Sequence, residues 1–257
     1  MKFSIVTACW NSAATIGKTI ESVKSQRDAD FEHIIVDGLS RDATADIVRE
    51  HAPGATFISE KDEGLYDAMN KGIRRASGDV VVMLNSDDHY AHPHVLRDVA
   101  RCFYETGAEG VFADVAFYDP RDTQRIVRHY RSDRFTPARI RNGVMPAHPG
   151  MFLRRTIYDR FGLYAHRGYP VSADFEFVAR MFAGEGIDYA FHPDIVVMML
   201  PGGASNSGWQ SKKRIFDECL RACRDNGIAA STATMLGKYP IKALDYLDPR
   251  KARKAAP

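Results

Sequence analysis

The sequence predicts an α/β fold in which a doubly wound, mostly parallel sheet is followed by a smaller antiparallel part and C-terminal helices. Three observations predict it. Through the first 88 residues, short β-branched runs alternate with segments whose apolar residues recur at helical spacing. The run Val80-Val81-Val82-Met83-Leu84 is apolar without interruption, as a strand covered on both faces must be. Polar and acidic residues then gather directly after each strand, at the end of an open α/β sheet where ligands bind.

The elements follow in order. Phe3–Ala8 reads as the first strand. Asn11 or Ser12 would cap a helix that carries Ile16, Ile20 and Val23 on one face. Glu32–Val36 is the second strand, Asp37-Gly38-Leu39-Ser40 its loop, and a helix from about Asp42 turns Ile47 and Val48 inward. Thr56–Ser59 is a third strand, and Leu65–Ala76 a helix stopped by Gly78. Val80–Leu84 is the central fourth strand. This order implies parallel strands joined by right-handed crossovers.

Beyond Asp88 the pattern loosens. Val95–Glu105 is a helix, and Gly110–Tyr118 is a strand with Arg125–Tyr130 as its hairpin partner across Asp119-Pro120-Arg121-Asp122. Residues 131–149 are basic and loop-like. Gly150–Arg154 is a strand, Thr156–Phe161 a helix, Phe175–Phe182 a helix begun by Asp174, and Ile187–Phe191 and Ile195–Leu200 two further strands. Trp209–Asp225 reads as an amphipathic helix. The division expected is one domain over 1–205, in two parts of 1–118 and 119–205, with a helical extension and basic tail over 206–257.

Composition narrows the function. With 45% hydrophobic and 26% charged residues, the 257-residue chain can build a sizeable core. No apolar run reaches the ~18 residues of a membrane span, and the chain enters a strand at once, so no leader is expected. Cys9, Cys102, Cys219 and Cys223 lack metal or disulfide spacing and read as free thiols of a reducing compartment, which points to the cytoplasm. From Pro201 onward, eleven Lys and Arg stand against five Asp and Glu. That tail fits peripheral contact with an anionic membrane face or a merely solvated end. The aromatic and apolar residues beside it fit an interfacial helix, or equally packing on the domain or in a homodimer. With positive charge confined to the tail and no recognition motif, nucleic acid is not expected as a partner.

The chemistry centres on Asn85-Ser86-Asp87-Asp88. Two adjacent carboxylates at the end of a buried strand are costly unless a cation or donors meet them, and a divalent metal holding a phosphorylated ligand is the natural partner. The other loops on that rim are Cys9-Trp10-Asn11, Asp37-Gly38 and Glu60-Lys61-Asp62-Glu63-Gly64. No GxGxxG follows the first strand and no GxxxxGK[ST] occurs, which argues against a dinucleotide cradle and a P-loop.

The chain resembles family 2 glycosyltransferases of the GT-A fold. The resemblance rests on Ser4–Asn11, Val36–Thr44, Asp62–Gly72, Ala76–Asp79, Leu84–Asp88, His148–Arg155, Ser172–Glu176 and Pro201–Ser205, taken in order and spacing over about 205 residues. It implies inverting transfer of a sugar from a UDP- or GDP-linked donor to a glycan or lipid-linked acceptor, as in cell-surface polysaccharide biosynthesis. On the donor side it implies that Asp37 binds base or ribose, that Trp10, Asn11 and the backbone at Ala8 flank the nucleotide, and that Asp87 meets the ribose. It gives Asp88 the Mg²⁺ or Mn²⁺ and makes Asp174 the general base. Asp62 and Asn70 are expected to touch the donor, and His148 to orient the acceptor. Gly38 stands where the family often has a second acid, and Asn85–Asp88 lacks a strict Asp-x-Asp. A sugar nucleotidyltransferase shares the sheet and acids, but its Gly-rich basic loop is replaced here by Ala8-Cys9-Trp10-Asn11-Ser12. An inactive nucleotide-binding scaffold is the remaining alternative. Arg134, Arg139, Arg141, Arg154 and Arg155 are read as a solvated basic face for the most part, or as cations for a lipid-linked pyrophosphate acceptor, and His89, His92 and His94 as an exposed turn.

Overall fold

The computed structural model describes residues 1–201 and 208–237. Nine strands form one sheet in the order β3-β2-β1-β4-β8-β6-β9-β5, with β7 paired to β6 off that path. The parallel half is β1 (Lys2–Cys9), β2 (Asp30–Asp37), β3 (Thr56–Ser59) and β4 (Val80–Met83). Helices α1 (Ile16–Lys24), α2 (Thr44–His51) and α3 (Leu65–Arg75) are its crossovers. Apart from the start of α1, whose N-cap is Thr15 rather than Asn11 or Ser12, these bounds lie within about two residues of those read from periodicity.

Burial explains why these segments are strands. Phe3, Ile5, Val80, Val82 and Leu84 face one side, where α4 (Val95–Thr106) packs Val95, Val99 and Phe103. Val6, Val36, Val81 and Met83 face the other, where α3 brings Ala68, Met69 and Ile73. That alternation is the period of two expected of a pleated chain. Helices α1 and α2 close a smaller cluster with Ile16, Ile20, Ile35 and Val48. The sheet is therefore wound on both faces.

The second half mixes directions. β8 (Met151–Arg154) runs antiparallel between β4 and the first residues of β6 (Gly110–Asp119), and β7 (Asp122–Tyr130) pairs with the last. β9 (Tyr189–Met199) runs parallel to β6, and the two-residue β5 (His89–Tyr90) pairs antiparallel with β9. Helices α5 (Arg155–Phe161) and α6 (Ala173–Met181) follow β8, and α7 (Gly208–Asp225) and α8 (Thr232–Leu236) end the described chain. No helix among the described residues is long and apolar enough to cross a membrane.

Several expectations change. The two strands expected over 187–200 are one, β9, whose ladder to β6 shifts between His192 and Val197. Pro193 lies at that shift and cannot donate to a ladder, so the chain bulges there. Neither Asn11 nor Ser12 caps α1 with its side chain; the Ser12 carbonyl accepts the Thr15 and Ile16 amides instead. The basic loop 131–149 contains three short 3₁₀ turns. Leu236 is half exposed at the end of α8, and the tail from Lys238 lies outside the described residues.

Gly72 fixes how closely α3 approaches β1. A Cβ at Gly72 would stand 2.3 Å from Val6 Cγ1. Glycine in a helix costs about 1 kcal/mol against alanine, but here the added methyl must displace a buried strand side chain. Gly72→Ala is expected to destabilise the fold by ~1–3 kcal/mol in urea unfolding, the usual cost of overpacking. A gain in stability would refute this contact.

Candidate active site

The C-terminal ends of β1 to β4 share one rim, and loop-to-loop hydrogen bonds knit it. The Asn11 amide donates to Ser40 Oγ at 2.8 Å, and the Arg41 amide donates to Asn11 Oδ1 at 2.9 Å. Ser12 and Ser86 hydroxyls meet at 2.9 Å, joining the β1 and β4 loops. Asn11 and Leu39 hold positive φ of 49° and 61°. Asparagine tolerates that region; leucine does so only under the constraint of its surroundings.

Asp37, at the end of β2, is 1% exposed. Its carboxylate accepts the Ser40 amide and hydroxyl, and the Ser59 hydroxyl at 2.7 Å. Burial and the Asp37 carboxylate push the neighbouring Cys9 thiol up to about 12, so it stays protonated. Asp37 therefore organises its own loop from inside. The open space lies at the next residue. A Cβ at Gly38 would meet Asp62 Oδ2 at 2.3 Å and Trp10 Cδ1 at 3.5 Å. Glycine thus lets Asp62 close over the backbone beside Trp10, whose ring is 65% exposed. These three residues make a slot with a flat aromatic edge and a carboxylate.

Asp88 closes the strand run from β4 and is 2% exposed. Its turn is fixed twice, by its amide to the Asn85 carbonyl at 3.1 Å and by the Thr19 hydroxyl of α1, which donates to its carbonyl at 2.7 Å. Among the described residues the carboxylate receives only the Asn85 side-chain amide, at 3.1 Å. Burial raises the Asp88 pKa well above the usual carboxylate range and Asp87 raises it further, with the Asn85 amide opposing. Burial also raises Asp87. Asn85 Oδ1 is buried with no partner. Beside the acids, Lys18 Nζ lies 4.6 Å from the Tyr118 ring and His89 stacks edge-on at 5.3 Å. His89 is half-buried rather than exposed, and burial lowers its pKa to about 4, so it is neutral.

Among the described residues no group of three or more His, Cys, Asp or Glu could hold a metal ion by itself. The donors instead fit a cation that takes one or two carboxylates from protein and the rest of its shell from ligand phosphates and water.

A second cluster of polar side chains gathers at the second half of the sheet. Asp174 is the second residue of α6, whose N-cap is Ser172 and not Asp174. Asp174 Oδ1 accepts the Tyr66 hydroxyl and the Phe175 amide, both at 2.8 Å. Its other oxygen has no partner among the described residues. Burial and the Asp174 charge hold the Tyr66 pKa well above normal, so Tyr66 remains a donor. His148 Nε2 lies 3.0 Å from the Tyr164 hydroxyl and its ring 6.4 Å from Tyr66; burial lowers its pKa, with Asp174 opposing.

Asn70 departs from expectation. It is 1% exposed and its carboxamide is committed inside the protein, donating to the Tyr164 carbonyl and accepting the Tyr164 amide, each at 2.9 Å. It clamps the segment before α6, and its amide does not reach the rim. Arg154 pairs with Val80, at the opposite end of β4 from the acids, and donates to the Ala108 carbonyl at 2.9 Å. Arg154 and Arg155 are therefore on the wrong rim for an acceptor. Tyr66 and Tyr164 are the contributors that spacing could not reveal. The partner of Tyr66, Asp174, lies 108 positions away in the chain.

The Asp88 burden is measurable without ligand. A carboxyl whose pKa is raised on folding holds its proton more tightly in the folded state, so stability falls as pH rises through the carboxylate range. Asp88→Asn removes that loss. Metal-free Asp88→Asn is expected to be more stable than the parent at pH 7 by about 1 kcal/mol. Thermal unfolding should show the gap closing at pH values where both states keep the proton.

The sequence matches the model of Glycosyl transferase family 2 over residues 4–162. Over 211 residues it is 31% identical to the "PGL/p-HBAD biosynthesis glycosyltransferase" of Mycobacterium tuberculosis (strain ATCC 25177 / H37Ra), covering 80% of this chain and 79% of that protein. In fold it is similar to S. aureus TarS 1-349 in complex with UDP-GlcNAc, with a TM-score of 0.62 at 18% identity; the match covers 85% of this chain and 66% of that one. It is also similar to the mannosyltransferase PcManGT from Pyrobaculum calidifontis in complex with GDP-Man and Mn²⁺, with a TM-score of 0.59 at 16% identity, over 97% of this chain and 81% of that one. The family match spans more than half of the residues, and the solved structures share the fold. The chain belongs to glycosyl transferase family 2 and is a glycosyltransferase with the GT-A fold.

Proposed function

We propose that this enzyme transfers a sugar, with inversion, from a nucleotide-diphosphate donor to a glycan or lipid-linked acceptor, as in the assembly of cell-surface polysaccharide. The observation that carries the reading is Asp88: a carboxyl buried at the end of β4 with one amide for company among the described residues, in a rim where exposed Trp10 stands beside Gly38 and Asp62. Solved relatives in complex with UDP-GlcNAc and with GDP-Man and Mn²⁺ support a donor of this class.

In this reading Trp10, the backbone at Ala8, Gly38 and Asp62 receive the base and ribose. Asp37 and Asn11 keep that slot in shape through the hydrogen bonds of Ser40, Ser59 and Arg41. Asp87 turns to the ribose, and Asp88 holds Mg²⁺ or Mn²⁺ against the diphosphate, with Asn85 Oδ1 available beside it. Such an ion supplies charge stabilisation to the departing diphosphate without a proton. Its positive charge also relieves the buried pair that otherwise resists ionisation.

Asp174 takes the proton of the attacking acceptor hydroxyl. Tyr66 and the Phe175 amide occupy Oδ1, which leaves Oδ2 as the basic oxygen and fixes its direction. His148, neutral and held against Tyr164, borders the acceptor. The basic residues after Pro201 support contact with the inner face of a membrane; their tail from Lys238 lies outside the described residues.

Two measurements test the reading. Calorimetric titration of UDP and GDP should give binding with Mn²⁺ and little with a chelator, and Asp88→Asn should abolish the difference; uptake indifferent to the cation would defeat the donor site. Asp174→Asn should keep donor affinity while lowering kcat by about 10²–10⁴-fold, the usual worth of a positioned base. A near-parental rate would remove Asp174 from that role.

A further inference from the structure

A groove of about 780 Å³ lies between α7 and the segment Arg167–Pro170, away from the donor rim. Its lining contains five cations, Arg167, Lys213, Arg214, Arg221 and Arg224, against the carboxylates of Asp217 and Glu218. Neither acid neutralises the inner pair of arginines. Glu218 is 5% exposed and spends its oxygens on the Val171 amide and Arg214 Nε, each at 3.1 Å. Asp217 pairs with Lys213 at 2.7 Å.

Arg221 is held in place without losing its charge. It donates to the Gly168 carbonyl and lies 4.5 Å over the Tyr169 ring, whose hydroxyl is fixed by Asp225 at 2.5 Å. Arg224, three residues on, shares that face of α7. The opposite face carries Cys219, Ala222 and Cys223 into the core, so the helix cannot rotate to hide the cations. A pre-positioned guanidinium beside a second one is the arrangement that binds phosphate oxygens in pairs.

The groove is also joined to the chemistry. Its lining includes Arg167, which pairs with Glu63 of the donor rim at 2.8 Å, and Glu218, which accepts the amide of Val171, three residues before Asp174. We propose that this groove is the acceptor's anion subsite, in which Arg221 and Arg224 take a phosphate or diphosphate group carried by the acceptor. The proposal rests on the transferase reading and deepens it. A lipid-linked diphosphate and a soluble phosphorylated sugar present the same group.

The test uses the full chain and inorganic pyrophosphate in chelator, which withholds the cation that a diphosphate needs at the donor rim. The parent and Asp88→Asn should bind pyrophosphate alike, and Arg221→Gln/Arg224→Gln at least about tenfold more weakly. Equal binding by the double variant, or loss in Asp88→Asn, overturns the subsite. Should the double variant fail to fold by circular dichroism, Arg224→Gln alone decides: it breaks no ion pair, and weakening below about threefold refutes the proposal. Co-sedimentation with phosphatidylcholine vesicles containing dicetyl phosphate separates the sources. Arginine-dependent pelleting supports a lipid-borne phosphate, and arginine-dependent pyrophosphate binding without it supports a soluble one. Donor uptake with Mn²⁺ is measured in parallel. Its failure alone would strike the transferase chemistry, whereas lost arginine dependence with intact donor uptake would strike the groove alone.

Discussion

A carboxyl group brought to the end of a wholly buried strand is the constraint around which the molecule is arranged. β4 is covered by α3 on one face and α4 on the other, so its four residues are apolar and its last turn emerges from a dry interior. Asp88 is still 2% exposed when it arrives there. Its backbone is pinned by Thr19 from α1 and its carboxylate by one Asn85 amide, so position is secured while charge is not. The next two residues form β5 and return to β9, which ties the acids to the far edge of the sheet. Moving Asp88 would therefore disturb both halves of the fold. A site with fixed geometry and deficient charge compensation suits a ligand that brings its own cation.

The second constraint is alignment between halves. The donor loops belong to the parallel strands and Asp174 to the helix after β8, and nothing in the ladder alone sets the distance between them. Helix α3 does. Tyr66 at its start donates to Asp174, Asn70 one turn later grips Tyr164 by its backbone, and Gly72 lets the same helix lie close on β1. Tyr66 and Asn70, one turn apart, thus hold the Tyr164–Asp174 segment, while Gly72 on another face seats the helix on β1. Because Oδ1 of Asp174 is already taken, the bond to Tyr66 also selects which oxygen can accept a proton.

Much of this was legible in the sequence because it is local. The parallel half follows from period and breaker residues, and its bounds come out nearly as read. The acids at the strand ends, Asp37, Asp62, Asp87 and Asp88, stand out because a buried apolar run ending in charge has few explanations. What was not legible depends on contacts distant in the chain. Asn70 looks like a rim residue from its motif, and only the return of Tyr164 turns it into a clamp. Tyr66 is indistinguishable from a packing aromatic until Asp174 is placed against it. β5 is too short to show any period, and β9 was divided because Pro193 and Asp194 resemble a turn where the sheet only bulges. The arginines at 154 and 155 failed for a topological reason: β8 is antiparallel to β4, so its end lies at the start of β4.

The segment from Tyr164 to Asp174 then acquires a role that no single motif carries. At its start Asn70 holds it to α3, in its middle Arg167 pairs with Glu63 of the donor rim, and near its end Glu218 of α7 takes the Val171 amide. It finishes at the carboxylate facing the acceptor. Helix α7 is fastened to the same core by Cys219, Ala222 and Cys223, so a charge bound along its outer face presses on a wall that is rigid on one side and leads to the base on the other. Donor rim, base and basic groove are in this way three attachments of one stretch of chain. Under the proposed function, the placement of an acceptor follows from how that stretch is held, more than from the loop motifs that identify the family.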